Sequence, residues 1–255
     1  MFRSFVAIGD SFTEGVGDDL PDGRVRGWAD FVALGLAAAE GPIEYANLAI
    51  RGRKLGPLLD EQLKPAIELR PGLISMNGGG NDVMRPRVSI PDIAQSMIDA
   101  VKTAVAAGVP VVLLSGANPS GHLPGGRLVQ RRGDILEAAV TSQLPIEGSV
   151  YVDNWIDATL AGRRYWSQDG LHLNALGHAR VASNVLTALD VPVPEEWGVE
   201  AVAAEPDGPR ARNTAAYYRD YVLPWIGRRL TGRSSGDGRT AKFARFVPVT
   251  PGMAI

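Results

Sequence analysis

The chain has 255 residues, 45% hydrophobic and 21% charged, the composition of an ordinary globular protein long enough to enclose a packed core. Its formal net charge of -2 gives no electrostatic reason to expect a nucleic-acid partner, and no apolar run approaches the length of a membrane span. The absence of cysteine excludes disulfides, thiolate metal sites and a cysteine nucleophile.

The apolar run 5–8 reads as a buried strand and stops at Gly9-Asp10-Ser11, small polar residues that let a chain turn sharply. A serine there would sit at the carboxyl edge of a sheet, where open α/β folds bind their ligands. A glycine-rich loop follows over 12–27, then a helix over 28–40 ended by Gly41-Pro42. A second strand spans 43–48 and leads into the basic run Arg51-Gly52-Arg53-Lys54; a helix over 58–69 comes next. The third strand, 73–76, opens onto Asn77-Gly78-Gly79-Gly80-Asn81-Asp82, whose glycines permit close backbone approach to a ligand. A helix over 91–107, a strand over 109–115, a loop over 116–126, a helix over 128–144 and a strand over 150–153 continue the alternation. A last body helix spans 175–189, capped by Asn174. Five short apolar strands, each with a helix after it, predict a parallel sheet covered on both faces.

Just ahead of that last helix lies Ser167-Gln168-Asp169-Gly170-Leu171-His172. Asp169 is close enough to meet one ring nitrogen of His172, leaving the other to take a proton from a hydroxyl. Of the other histidines, His178 is expected to pack or lie on the surface; His122, in the 116–126 loop, could reach the edge of the site but is expected to be exposed. Glu14, Asp18 and Asp19 near Asp10 invite a metal-site reading, but that class needs several histidine ligands and this chain has three, scattered. Trp28 and Trp166 flank the site in sequence and fit core or rim packing equally well.

Gly9-Asp10-Ser11, Gly52, Gly79-Gly80-Asn81-Asp82 and Asp169 with His172, in this order, resemble the SGNH (GDSL-type) hydrolase family. The resemblance covers residues 2 to about 189. It implies a flavodoxin-like three-layer α/β/α fold with five central parallel strands and an esterase that forms an acyl-enzyme. It also implies Ser11 as nucleophile, His172 as base and Asp169 as the group that orients it. The oxyanion hole would be the backbone N–H groups of Ser11 and Gly52 with the Asn81 amide; no cofactor and no metal are implied. Family members often carry a small polar residue after the second-block glycine, whereas here Arg51, Arg53 and Lys54 surround it, either as solvated surface or as contacts for an anionic substrate. Acyl transfer to a sugar or other alcohol, and an idle ligand-binding module on the same fold, are the competing readings.

The hydrolase domain is expected over 1–190, with an extension over 191–255. Tyr217, Tyr218, Tyr221, Val222, Trp225 and Ile226 recur at helical spacing, and a stripe of this kind is expected to dock on the domain or on a second copy of the chain. The glycine- and serine-rich basic residues after it read as a flexible tail. The expected partner is a small-molecule ester, with no nucleic acid and no integral membrane association. The first strand begins at once without a leader-like segment, so a cytoplasmic location is expected.

Overall fold

The computed structural model describes residues 2–198 and 234–253, together with 219 and 223. Strand β1 (Ser4–Ile8) is followed by the one-turn helix α1 (Ser11–Glu14), α2 (Trp28–Glu40) and β2 (Ile43–Asn47). A continuous helical stretch then comprises α3 (Leu55–Leu58), a π-turn (Leu59–Leu63) and α4 (Lys64–Glu68). Next come β3 (Leu73–Met76), the short α5 (Gly80–Val83), α6 (Ile90–Ala106), β4 (Val111–Leu114), α7 (Gly126–Thr141), β5 (Ser149–Val152) and α8 (Ala175–Ala188). Strand β6 (Phe243–Val249) is the last described element.

The sheet has six strands in the order β5-β4-β3-β1-β2-β6. β1 to β5 are parallel, as expected; β6 is the addition, antiparallel on the outer edge of β2. Residues 234–253 therefore form a turn and an edge strand in place of the flexible tail expected there. The aromatic stripe over 217–226 lies outside the described residues, save 219 and 223.

The period-2 alternation of β1 feeds two cores. Phe5 and Ala7 face the layer of α2 and α8, while Val6 and Ile8 face α3, α4, α6 and α7. Because both faces are covered, β1, β3 and β4 carry almost only apolar residues. The loop over 12–27 differs from expectation at its start, where the backbone coils into α1 directly after the turn. The π-turn precedes Pro65, whose missing N–H leaves the Glu61 carbonyl without its usual helical donor, and the helix widens there.

All the loops that carry the sequence motifs leave the carboxyl ends of β1, β2 and β3 or precede α8, and they converge on one side of the sheet.

Candidate active site

Ser11 is the first residue of α1, and Asp10 caps that helix: its carboxylate accepts from the Phe12 N–H at 3.1 Å. Gly9 is required for this tight turn, because a side chain there would overlap Thr13. The turn is also clamped from below by Gln62, a buried residue of the π-turn. Its amide oxygen accepts from the Gly9 N–H at 2.8 Å, and its amide nitrogen donates to the Gly9 carbonyl at 3.0 Å.

On the opposite wall, an isolated bridge between Trp166 and Leu173 ties the ends of a short loop, and the Ser167 N–H donates to the His172 carbonyl at 2.9 Å. Asn174 caps α8 by accepting from the Gly177 N–H. So fixed, His172 lies with Nε2 at 3.1 Å from Ser11 Oγ and Nδ1 at 2.6 Å from Asp169 Oδ2. An ionised carboxylate can only accept, so Nδ1 carries the proton and Nε2 presents its lone pair to the serine hydroxyl.

Asp169 also accepts from Ser167 Oγ at 2.6 Å and from the N–H groups of Leu171 and His172 at 2.8 and 2.9 Å. Burial alone would raise its pKa. The hydrogen bonds and the nearby imidazole outweigh that and hold the carboxyl well below the usual carboxylate range. Asp10 behaves oppositely: burial pushes it up to about 6, and its two hydrogen bonds only soften the shift.

Gly52 and Asn81 line the same cavity as Ser11 and His172. Gly52 has a φ of +74, a conformation that favours glycine. The N–H of Ser11 is an orphan donor at a helix start. Neither it nor the Gly52 N–H has an acceptor among the described residues. The Asn81 amide is engaged: Nδ2 donates to Asp10 Oδ2 and to the Arg53 carbonyl, both at 3.0 Å, linking the serine turn to the Gly52 loop.

The basic residues around Gly52 are partly neutralised. Arg51 forms an ion pair with Glu14 at 2.6 Å and Arg53 one with Glu61 at 2.9 Å, while Lys54 is exposed. Glu14 and Asp18, considered for a metal, instead bind Arg51 and Arg26. His178 packs inside the protein; burial pushes its pKa down to about 3, and its neutral ring accepts from the Trp28 N–H. His122 is buried against Trp166, not exposed as expected. Trp28 and Trp166 are both core residues.

From Ser11 the cavity, about 640 Å³, runs beneath α7. Its walls include Val83, Met97, Leu123, Leu136 and Val140, and Glu137 and Tyr151 meet in a short hydrogen bond at its lining. Two groups of residues at this site escaped sequence reasoning. Gln62 sits in a helix with no motif, and Ser234 and Ser235, which also line the cavity, come from the supposed tail.

The model of the GDSL-like lipase/acylhydrolase family matches residues 7–180, well over half of the chain. The chain belongs to this family. It is therefore a hydrolase of the acylhydrolase type, and the resemblance drawn from its motifs is borne out. The fold agrees with solved structures. A lipase from a goat rumen metagenome is 17% identical with a TM-score of 0.61, covering 75% of this chain and 99% of its own. TesA is 25% identical with a TM-score of 0.57, covering 73% and 98%. A lipase/acylhydrolase from Enterococcus faecalis is 18% identical with a TM-score of 0.54, covering 75% and 98%. No curated protein matches the chain in sequence. Among the described residues, no helix is long and apolar enough to cross a membrane.

Proposed function

We propose that the protein is a serine esterase that hydrolyses carboxylic esters of apolar acyl groups through an acyl-enzyme. The observation that carries this reading is the hydrogen-bonded series Ser11 Oγ, His172 and Asp169 in the lining of a largely apolar cleft. A serine hydroxyl is a weak nucleophile until a base takes its proton during attack. His172 Nε2 takes the proton as Ser11 Oγ bonds to the ester carbon, and Asp169, an anion throughout, stabilises the imidazolium that results. The oxyanion is received by the N–H groups of Ser11 and Gly52 and by the Asn81 amide, which exchanges its bond to Asp10 or to the Arg53 carbonyl for one to the oxyanion. Collapse expels the alcohol, which leaves with the proton from His172. Water then repeats the sequence on the acyl-enzyme and releases the acid.

The cleft under α7 selects the acyl side. Burying each methylene is worth about 0.8 kcal/mol, roughly a fourfold gain per carbon while the chain still fits. The test is kcat/KM for p-nitrophenyl acetate, butyrate, octanoate and palmitate, with Ser11→Ala as control. The expected result is a rise from acetate to octanoate and negligible turnover by the variant. Acetate as the best substrate would remove the acyl-cleft reading; brisk turnover by Ser11→Ala would remove the nucleophile.

A further inference from the structure

The family match ends at residue 180, yet the chain returns to the site some fifty residues later. β6 runs antiparallel to β2, with Phe243 beside Asn47 and Val249 beside Ile43. Its first residue thus lies at the carboxyl end of β2, the end from which the Gly52 loop departs, and residues 234–242 are delivered to the site. Lys242 anchors this entry. Its ammonium donates to Asp30 Oδ2 at 2.6 Å, to the Glu14 carbonyl at 3.3 Å and to the Val25 carbonyl. All three acceptors belong to the segment that follows Ser11.

The turn over 234–238 is built as one unit. Asp237 accepts from the Ser234 N–H at 2.8 Å, and Ser234 Oγ accepts from the Gly236 N–H at 3.2 Å. The same hydroxyl donates to the Gly52 carbonyl at 3.1 Å. Gly236 is buried so tightly against the Arg51 carbonyl that a side chain there would overlap its oxygen. A side chain on Gly52 would in turn collide with the hydroxyls of Ser234 and Ser235.

The Arg51 carbonyl and the Gly52 N–H belong to one planar trans peptide and point in opposite directions. A wall behind that carbonyl therefore fixes the direction of the N–H. We infer that Gly236, packed on the Arg51 carbonyl, and Ser234, bonded to the Gly52 carbonyl of the next peptide, are positioning residues that fix the backbone on both sides of Gly52 so that its N–H serves as an oxyanion donor. This rests on the proposed role of Gly52 as donor and deepens it: a segment outside the family-matched region sets the geometry of a donor within it. Glu14 holds the preceding peptide, Ile50–Arg51, accepting from the Arg51 N–H at 2.6 Å.

The experiment uses the full chain with Ser234→Ala, Ser234→Thr and Gly236→Val. Removing one oxyanion donor typically costs about 10²–10³ in kcat, and loosening one costs less. Gly236→Val should lower kcat for p-nitrophenyl octanoate about a hundredfold and Ser234→Ala about tenfold, with KM changed by about twofold or less. Ser234→Thr, which keeps the hydroxyl, should restore kcat. A trifluoromethyl ketone, which forms a tetrahedral adduct on the serine, should lose affinity in proportion to kcat/KM, while the unreactive ether analogue of the ester should not. Ser234→Ala and Gly236→Val enzymes with wild-type kcat would overturn the inference, and so would a loss of kcat with unchanged affinity for the ketone. If Ser11→Ala also turned over, the failure would lie in the proposed function; if Ser11→Ala stayed inactive, it would lie with this turn alone.

Discussion

Asp10 and Asp169 stand on opposite walls of one cleft, both largely withdrawn from water, and their surroundings drive them apart. Asp169 accepts four described hydrogen bonds, one of them from a ring that gains charge during the proposed reaction, and it stays ionised. Asp10 accepts two, from Phe12 and Asn81, and burial pushes its pKa to about 6. Burial alone does not decide the state of a carboxyl; the count of donors aimed at it does. A permanent anion suits the holding of an imidazole. A carboxyl that protonates in mild acid does not suit that task, and Asp10 instead caps a one-turn helix.

The largest expected effect breaks that contrast at the level of activity. Asp169→Asn should lower kcat on the order of 10⁴-fold, because the amide no longer holds the required tautomer of His172. Asp10→Asn keeps a good helix-capping side chain and should cost about tenfold or less. Steady-state rates on p-nitrophenyl octanoate check both; comparable losses would show that the two carboxyls share one role.

A smaller effect concerns stability against pH. Asp10 holds its proton more tightly folded than unfolded. Its contribution is complete below the unfolded value of 3.8 and is lost as the pH rises through about 6. The stability of wild type relative to Asp10→Asn should therefore fall by about 3 kcal/mol between pH values below 3.8 and neutrality. Asp169 has the opposite sign: its contribution is present above 3.8 and is lost as the pH falls through its depressed folded value. The advantage of wild type over Asp169→Asn should hold at neutrality and shrink below about pH 4. Urea midpoints across pH measure both differences, and slopes of equal sign would contradict the assignment.

The parts legible in the sequence were those whose signal is local. The apolar runs of β1, β3 and β4 announce strands, Asn174 announces a helix start, and the motif glycines announce turns. The convergence of the candidate site residues was legible too: Ser11, His172 and Asp169, 161 residues apart at the widest, do meet. What escaped depends on partners distant in sequence. β6 contains Arg245 and Pro248, residues that a central strand would reject but an edge strand tolerates, and only its pairing with β2 reveals it. Gln62 looks like any polar helical residue until its amide is seen on Gly9. The burial of His122, read from its loop position as exposed, depends on Trp166, much further along the chain, whose ring packs against it.

Every step proposed for the cleft requires that Ser11 Oγ is the atom acylated. The most direct measurement is intact-protein and peptide mass spectrometry after treatment with a fluorophosphonate, followed against loss of esterase activity. One adduct per chain is expected, on the peptide carrying Ser11, formed in step with inactivation and absent from Ser11→Ala. Esterase activity that survives full modification of Ser11, or inactivation with the adduct on another residue, would contradict it.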